Sequence, residues 1–448
     1  MTEREIAVRG LVEILENDSY GNVALGRIFS RHKDLGRLQK AFITEIISGC
    51  IRNLMQLDYI IDEFSKTQAA KMRPVILNIL RASVYQMKFM DKVPVFAIVN
   101  EATDLTKKMG FGKLSGFVNG VLRNISRNPD KPALPDFEIN PVEYLKIKYS
   151  CQQWIVEHFL KELGLQDTVL ALESASKPPK ITLCVNAKRI TTAELREILT
   201  DEGLDIEESD LVKDCLIVSK TADISALESF KRGLYHVMDE AANLAAKCAM
   251  PSPNSRIIDL CAAPGGKSFA VAYMAEAESM IAGDIHSFKV GLINLGAKRL
   301  GLDIEARLWD ATKLDKSLRA TADLVIVDAP CSGLGTLRKR PDIKLRKSFT
   351  DVAALVSLQR QILSVAWEYL KPTGRLLYST CTINNAENID NLNWFLLNFP
   401  MKTVDFSNRV PNIPEFVTAK EGHVQILPQY FNTDGFFVAI FEKAGEIK

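Results

Sequence analysis

The sequence predicts an α/β protein with a doubly wound sheet in its C-terminal half, preceded by an all-helical region and a small α+β connecting segment. Three observations predict it. Apolar residues recur at helical spacing from residue 6 to residue 105. Helical and short extended patterns mix from 143 to 235. From 236 onward, short apolar strands ending in small or acidic residues alternate with helical stretches, the pattern of a sheet with ligand sites at its strands' carboxyl ends. With 448 residues the chain exceeds one ordinary core, and the predicted domains are 1–135, 143–235 and 236–448.

In the first domain Ile6, Leu11, Val12 and Leu15 form one apolar stripe, and Phe42, Ile43, Ile46 and Ile47 another. Ile76, Leu77, Leu80, Val84 and Tyr85 form a third, which stops at Val93-Pro94. Arg37, Lys40, Arg52, Lys113, Arg123 and Arg127 give this region a modest basic excess that suits phosphate contact. A Pro- and Asp-rich stretch, 128–142, reads as a linker. Beyond it, Trp154–Leu163 reads as a helix, and Ile181–Val185 and Cys215–Val218 as strands. In the last domain the predicted strands are Arg256–Leu260, Met280–Ile285, Ile304–Trp309, Leu324–Val327, Leu376–Ser379 and Gly435–Glu442.

Composition excludes several classes. Apolar residues at 47% and charged residues at 25% describe a soluble globular protein. No apolar run reaches a membrane span, and no basic-then-apolar leader follows Met1, so a cytoplasmic protein is expected. The net charge of +1 confines any nucleic-acid surface to a local patch. The eight cysteines form no Cys-x-x-Cys pair and the five histidines have no ligand spacing, which argues against zinc and disulfides. Most of these thiols are expected to be inert core residues.

The segment Asp259–Ser268 joins the first predicted strand of the sheet to a helix. Cys261, Ala262, Ala263, Pro264, Gly265, Gly266 and Lys267 let the backbone approach a ligand. The next strand ends near Asp284, where a carboxylate suits ribose hydroxyls, and the third and fourth end at Asp310 and Asp328. No Gly-x-x-x-x-Gly-Lys-Ser/Thr loop is present, so an adenosyl cofactor without polyphosphate fits better than ATP or NAD.

Two cysteines fall at further strand ends: Cys331, in Asp328-Ala329-Pro330-Cys331-Ser332-Gly333, and Cys381, in Tyr378-Ser379-Thr380-Cys381-Thr382. A rim thiol pair suits methylation at carbon 5 of a pyrimidine. Adding a thiolate to carbon 6 makes carbon 5 nucleophilic, and a second thiol can assist release. The residues alone do not say which thiol does which. The run Leu337–Lys347, with six basic residues and one acid, reads as an RNA-contacting loop.

Asp259–Ser268, Asp328–Asp342 and Tyr378–Asn388 resemble the signature motifs of the RNA 5-methylcytosine methyltransferases. Ile79-Leu80-Arg81, Tyr85-Gln86 and Phe117–Arg123 resemble the helical RNA-binding fold of the antitermination factor NusB. The combination is similar to the family's bacterial enzymes for small-subunit (16S) rRNA. The resemblance implies a Rossmann-like class I methyltransferase domain after a NusB-like one, S-adenosyl-L-methionine as cofactor, and an unpaired or flipped 16S rRNA cytosine as substrate. Cys381 is implied to be the nucleophile and Cys331 to assist release. It implies that Cys261 to Lys267 wrap the cofactor, with Asp284, Asp310 and Asp328 completing its site. No membrane partner is implied, and a monomer is expected. Two positions depart from the family pattern. Ile285-His286-Ser287-Phe288-Lys289 stands where an arginine is usual, and Ile389 where a second acid is common.

Overall fold

The computed structural model describes residues 1–16, 21–91, 93–219 and 223–444; the last four residues of the domain predicted for 236–448 lie outside them. The chain divides into two compact units. One holds 1–176 together with 340–346, and the other 177–339 with 347–448.

The first unit is helical. Its helices include Glu3–Glu16, Arg37–Arg52, Leu54–Phe64, Pro74–Phe89, Val95–Thr106 and Ser115–Arg127. The predicted stripes form its core: Ile6, Leu11, Ile43, Ile46, Ile47, Leu80, Val84 and Tyr85 are all buried together. Gly49 permits the close approach of two of these helices, because a Cβ there would lie 1.9 Å from the Tyr85 ring. Arg81 is buried and forks onto both carboxylate oxygens of Asp58, at 2.7 and 2.6 Å. Arg37, Lys113, Arg123 and Arg127 are exposed, whereas Arg52 is partly buried. Two further helices follow the irregular 128–140 stretch. Pro141–Lys148 is capped by Asn140, whose side chain accepts from Glu143 N. Gln153–Ser176 is two helical stretches meeting at a kink, where Gly164 leaves helical geometry with a positive φ of 77° just past the predicted end at Leu163.

The insertion of residues 340–346 into this unit overturns part of the sequence reading. Lys344, expected in an RNA-contacting loop, is fully buried. Its ammonium donates to the carbonyls of Tyr149, at 2.7 Å, and Arg52, at 3.2 Å. Arg346 donates to the Ile14 carbonyl at 2.6 Å. In the second unit Arg338 donates to the Asn432 and Pro178 carbonyls, and Lys339 pairs with two aspartates. These four cations therefore do structural work inside their units. The physical reason is that each meets carbonyls or carboxylates from distant parts of the chain, which outcompete solvent for a charged donor.

The second unit holds all twelve strands of the described residues, numbered in chain order. β1 (Ile181–Val185), β2 (Ile206–Glu208), β3 (Cys215–Val218) and β4 (Tyr235–Val237) make an antiparallel sheet in the order β2-β3-β1-β4. β5 (Arg256–Asp259), β6 (Ser279–Asp284), β7 (Glu305–Leu308), β8 (Ala322–Asp328) and β9 (Leu370–Thr380) run parallel. β10 (Met401–Thr403), β11 (His423–Ile426) and β12 (Phe436–Lys443) complete the large sheet, with β12 antiparallel to β9. Its order is β10-β12-β9-β8-β5-β6-β7, with β11 also paired to β12. Successive residues of the central strands feed opposite faces. Ile257, Leu324 and Ile326 join one core, and Ile258, Val325 and Val327 the other. That two-sided burial is why these strands appear in the sequence as unbroken apolar runs. The chain leaves β5 in one direction for β6 and β7 and in the other for β8 and β9. The topological switch therefore lies between β5 and β8, where open α/β sheets place their ligands.

Burial pushes the Lys344 ammonium down to about 8. A base whose folded-state value is depressed binds fewer protons folded than unfolded, so its folding penalty is relieved as pH rises from about 8 toward the ordinary lysine value. Urea unfolding of the parent and Lys344→Met at pH 7.5 and pH 10 checks this: the parent's stability relative to the variant is expected to be higher at pH 10.

Candidate active site

The turn after β5 is built for close approach. Asp259, at the strand's end, is buried and accepts from Ser268 Oγ at 2.6 Å. Burial raises its carboxyl to about 7. Ala262 N–H donates to the Gly283 carbonyl, stitching the turn to β6, and the Ala263-Pro264 bond is cis. Gly265 takes φ 110° as the cap of helix Gly266–Met274, and a Cβ there would lie 2.3 Å from the Phe269 ring.

Beside this turn lies a cleft of about 280 Å3 lined by Cys261, Asp284, Ile285, Trp309, Asp310 and Ile362, among others. Asp284 is buried at the end of β6. It accepts from His286 N at 2.9 Å and meets Lys289 at 3.6 Å. Lys289 thus brings a cation to the carboxylate although the usual arginine is missing. Asp310 is held below the ordinary carboxylate range by the Thr312 hydroxyl, at 2.6 Å, with further help from Lys313. The donor set is two carboxylates and an apolar wall, with Lys289 as the lining cation, which suits a nucleoside better than a polyphosphate. The sequence reading missed the wall of Ile285, Trp309, Leu358 and Ile362. The first two directly follow strand ends and carried a position signal, but Leu358 and Ile362 come from the helix Phe349–Tyr369 and carried none.

Lys267 and Asp328 face each other. The Lys267 ammonium sits 2.7 Å from Asp328 Oδ2 and 4.6 Å from the centre of the Phe436 ring. Lys267 is nearly buried, whereas the Asp328 side chain keeps 35% of its surface exposed, so the carboxylate can still meet a ligand. Ser379 Oγ donates to the other oxygen of Asp328, at 3.0 Å.

The two predicted thiols come together. Cys331 Sγ and Cys381 Sγ lie 3.3 Å apart, across a sequence separation of 50 residues, and both are partly exposed. The contact with Cys381 and burial push the Cys331 thiol up. The other cysteines divide as expected of core thiols: Cys50, Cys151, Cys184, Cys215 and Cys248 are buried, with burial driving Cys151 and Cys248 up to about 12. Cys261 is partly exposed at the cleft, and burial raises it as well.

A buried polar cluster, most of it within the motifs Asp328–Asp342 and Tyr378–Asn388 but given no role by the sequence, holds the thiol turns. Glu387 is fully buried and accepts from Ser332 N at 2.8 Å, Gln359 Nε2 at 2.9 Å and Asn384 Nδ2 at 3.0 Å. Asn388 accepts from Thr380 Oγ1 at 2.6 Å and donates to the Thr382 carbonyl at 3.0 Å, bracketing Cys381 on both sides. Ser332 and Thr382 join hydroxyls at 2.7 Å. Gly335 N–H donates to the Cys381 carbonyl, and a Cβ at Gly335 would lie 1.9 Å from the Gly435 carbonyl oxygen. Among the described residues no His/Cys/Asp/Glu cluster fits a metal, and no helix is long and apolar enough to cross a membrane.

Replacing Glu387 by Gln turns an acceptor for three donors into a group that must present an amide to some of them. Glu387→Gln is expected to cost about 3 kcal/mol of unfolding free energy, measured by urea denaturation. Faster modification of Cys331 by a thiol reagent is expected alongside, because the turn that carries it loses its anchor.

Residues 246–442 match the family model for the 16S rRNA methyltransferase RsmB/F, residues 1–127 that of the NusB family, and 152–225 that of the RsmF/B-like ferredoxin-like domain. A probable ribosomal RNA small subunit methyltransferase B from Bacillus subtilis is 34% identical, over 99% of both chains. A ribosomal RNA small subunit methyltransferase B from Shewanella oneidensis is 29% identical over 99% of this chain and all of that one. The crystal structure of PH0851 superposes with a TM-score of 0.82 at 26% identity over 99% of both chains. NSun6 from Pyrococcus horikoshii, solved with SFG, shares the fold with a TM-score of 0.58 at 20% identity, over 65% of this chain and 98% of that one. With the helical unit, the antiparallel sheet and the switch-point cleft all present, the chain belongs to the RsmB/F family of 16S rRNA methyltransferases.

Proposed function

We propose that this protein methylates carbon 5 of a cytosine in 16S rRNA, with S-adenosylmethionine as the methyl donor and Cys381 as the covalent nucleophile. The observation that carries the proposal is the pair of thiols in contact at the carboxyl rim of the sheet, beside a carboxylate-lined cleft of nucleoside size. The cofactor, when bound, supplies an electrophilic methyl group. Asp284 would accept from its ribose hydroxyls and Asp310 from its adenine end, with the turn Cys261, Ala262, Ala263, Pro264, Gly265, Gly266 and Lys267 around the remainder. The apolar wall excludes water from the base.

The Cys381 thiolate bonds to carbon 6 of the cytosine and drives the C5=C6 π pair onto carbon 5, which would take the methyl group, with S-adenosylhomocysteine as the leaving group. A proton passes from carbon 5 to water, the C5–H pair re-forms the C5=C6 bond, and the C6–S bond breaks to release the Cys381 thiolate. The contact between the two sulfurs suits this division of labour: a protonated Cys331 can donate to Cys381 sulfur, favouring the leaving thiolate. Asp328, half-open and oriented by Lys267 and Ser379, would meet the base edge that distinguishes cytosine from uracil. The cytosine would be unpaired or flipped to reach these groups. The domains we assign are a NusB-like RNA-binding domain over 1–135, a small connecting domain over 143–235 and the catalytic domain over 236–448. Exposed Arg37, Lys113, Arg123 and Arg127 supply cations for rRNA phosphates.

The test is a denaturation-resistant protein–RNA adduct. Cys331→Ala is expected to accumulate it and Cys381→Ala to abolish both adduct and methyl transfer. Adduct in neither variant and no methylation by the parent would instead favour a ribosome-assembly factor that has kept the fold. Asp284→Ala is expected to raise the KM for S-adenosylmethionine by roughly tenfold or more through the lost charged hydrogen bonds. Asp328→Asn is expected to lower turnover and relax base choice; unchanged values of both would remove it from the base site. Bisulfite sequencing of 16S rRNA with and without the gene reads the methylated position directly.

A further inference from the structure

Lys339 keeps 32% of its side chain exposed and bridges two carboxylates from distant parts of the second unit. Its ammonium pairs with Asp239 and with Asp434, the latter at 2.9 Å. Asp239 is otherwise engaged: Oδ1 caps the helix Glu240–Cys248 through Ala241 N at 3.0 Å and accepts from Thr433 Oγ1 at 2.6 Å. Asp434 is buried, and its Oδ1 has no hydrogen-bond partner among the described residues. Next to Lys339, Arg338 donates to the Asn432 carbonyl at 2.7 Å and to its side-chain oxygen at 2.6 Å. The end of the Pro-Cys segment is therefore pinned twice to residues 432–434.

The pinned residues lead directly to the thiols. Gly435, which follows Asp434, donates from its N–H to the Gly335 carbonyl at 2.8 Å, and Gly335 donates to the Cys381 carbonyl at 3.1 Å. Displacing 434–435 would thus move the Cys381 backbone. Neither glycine can take a side chain without clash, so the three strands of chain have no slack with which to absorb a shift.

We infer that Lys339, held by Asp239 and Asp434, is a positioning residue that sets the approach of Cys381 to its base. This deepens the proposed thiol reading and rests on it. A structural ion pair alone would stabilise the fold anywhere. Here a buried acid, Asp434, and a partly buried one, Asp239, converge on one cation, in a place where the cost of leaving Asp434 Oδ1 unpartnered is accepted. Burial and the Asp239 charge beside it push the Asp434 carboxyl up to about 7, consistent with two acids crowded around one shared cation. The Arg338 guanidinium is the other charge that bears on Asp434.

The experiment measures the rate of adduct formation in a single turnover with cytosine-containing 16S rRNA fragments, each variant being made in the full-length Cys331→Ala chain. S-adenosylmethionine affinity is measured in parallel. Lys339→Met is expected to slow adduct formation by roughly 100-fold, the scale of an ångström-size misplacement of a reacting atom, with cofactor affinity within about twofold. Lys339→Arg, which keeps the charge, is expected to recover most of that rate. If Lys339→Met unfolds, Lys339→Met/Asp434→Asn removes the uncompensated acid and is expected to show the same slowing. Adduct formation at the parental rate in any folded Lys339→Met chain overturns the inference, as does loss of cofactor affinity in step with rate. A parent Cys331→Ala chain that forms no adduct refutes the thiol reading itself, a result distinct from either.

Discussion

Two sulfur atoms 3.3 Å apart impose the constraint on which the site is organised. At that separation the thiols cannot both ionise without strong mutual repulsion, so ionisation of one opposes ionisation of the other. The fold meets this requirement with rigid backbone. Each thiol stands just beyond the carboxyl end of a parallel strand, β8 or β9, and those strands pair in register from Leu324–Arg375 to Asp328–Ser379. Their carboxyl ends therefore sit side by side, and the turns they release start from a fixed separation. Glu387 and Asn388 then hold the turns themselves, one through Ser332 and the other across Cys381.

The same register accounts for the rest of the rim. Asp259, Asp284 and Asp328 end β5, β6 and β8, so the acids stand along one edge without any need for matching loops. Their environments divide them. Asp259 is walled off with Ser268 and holds the turn in shape, Asp284 lines the cleft, and Asp328 is shared between Lys267 and solvent. Burial and partners, rather than residue type, decide which carboxylate is structural and which can meet a ligand.

Much of this was legible because parallel strands buried on both faces leave continuous apolar runs, and their terminal acids fall at a recognisable spacing. Cys331, Cys381, Asp284, Asp310 and Asp328 were all found that way. β10 and β11 were not, since three- and four-residue strands that borrow their order from β12 have no pattern of their own. Nor could the sequence place Glu387, whose three donors come from residues 332, 359 and 384. The basic run misled for the same reason. A row of Lys and Arg looks solvated until distant carbonyls, such as those of Arg52 and Tyr149, are seen to face Lys344.

The return of residues 340–346 to the helical unit has a consequence for how the protein is made. A ribosome delivers the first 176 residues long before it delivers Lys344, Leu345 and Arg346. Until then the carbonyls of Ile14, Arg52 and Tyr149 lack the donors that later reach them, and the apolar seat of Leu345 stands open. The helical unit can form early but closes only after the chain has passed through β5 to β8 and the Pro-Cys turn. Its completion therefore reports that the Pro-Cys turn has been synthesised, and a chain released before that point carries an unfinished core for chaperones and proteases to recognise.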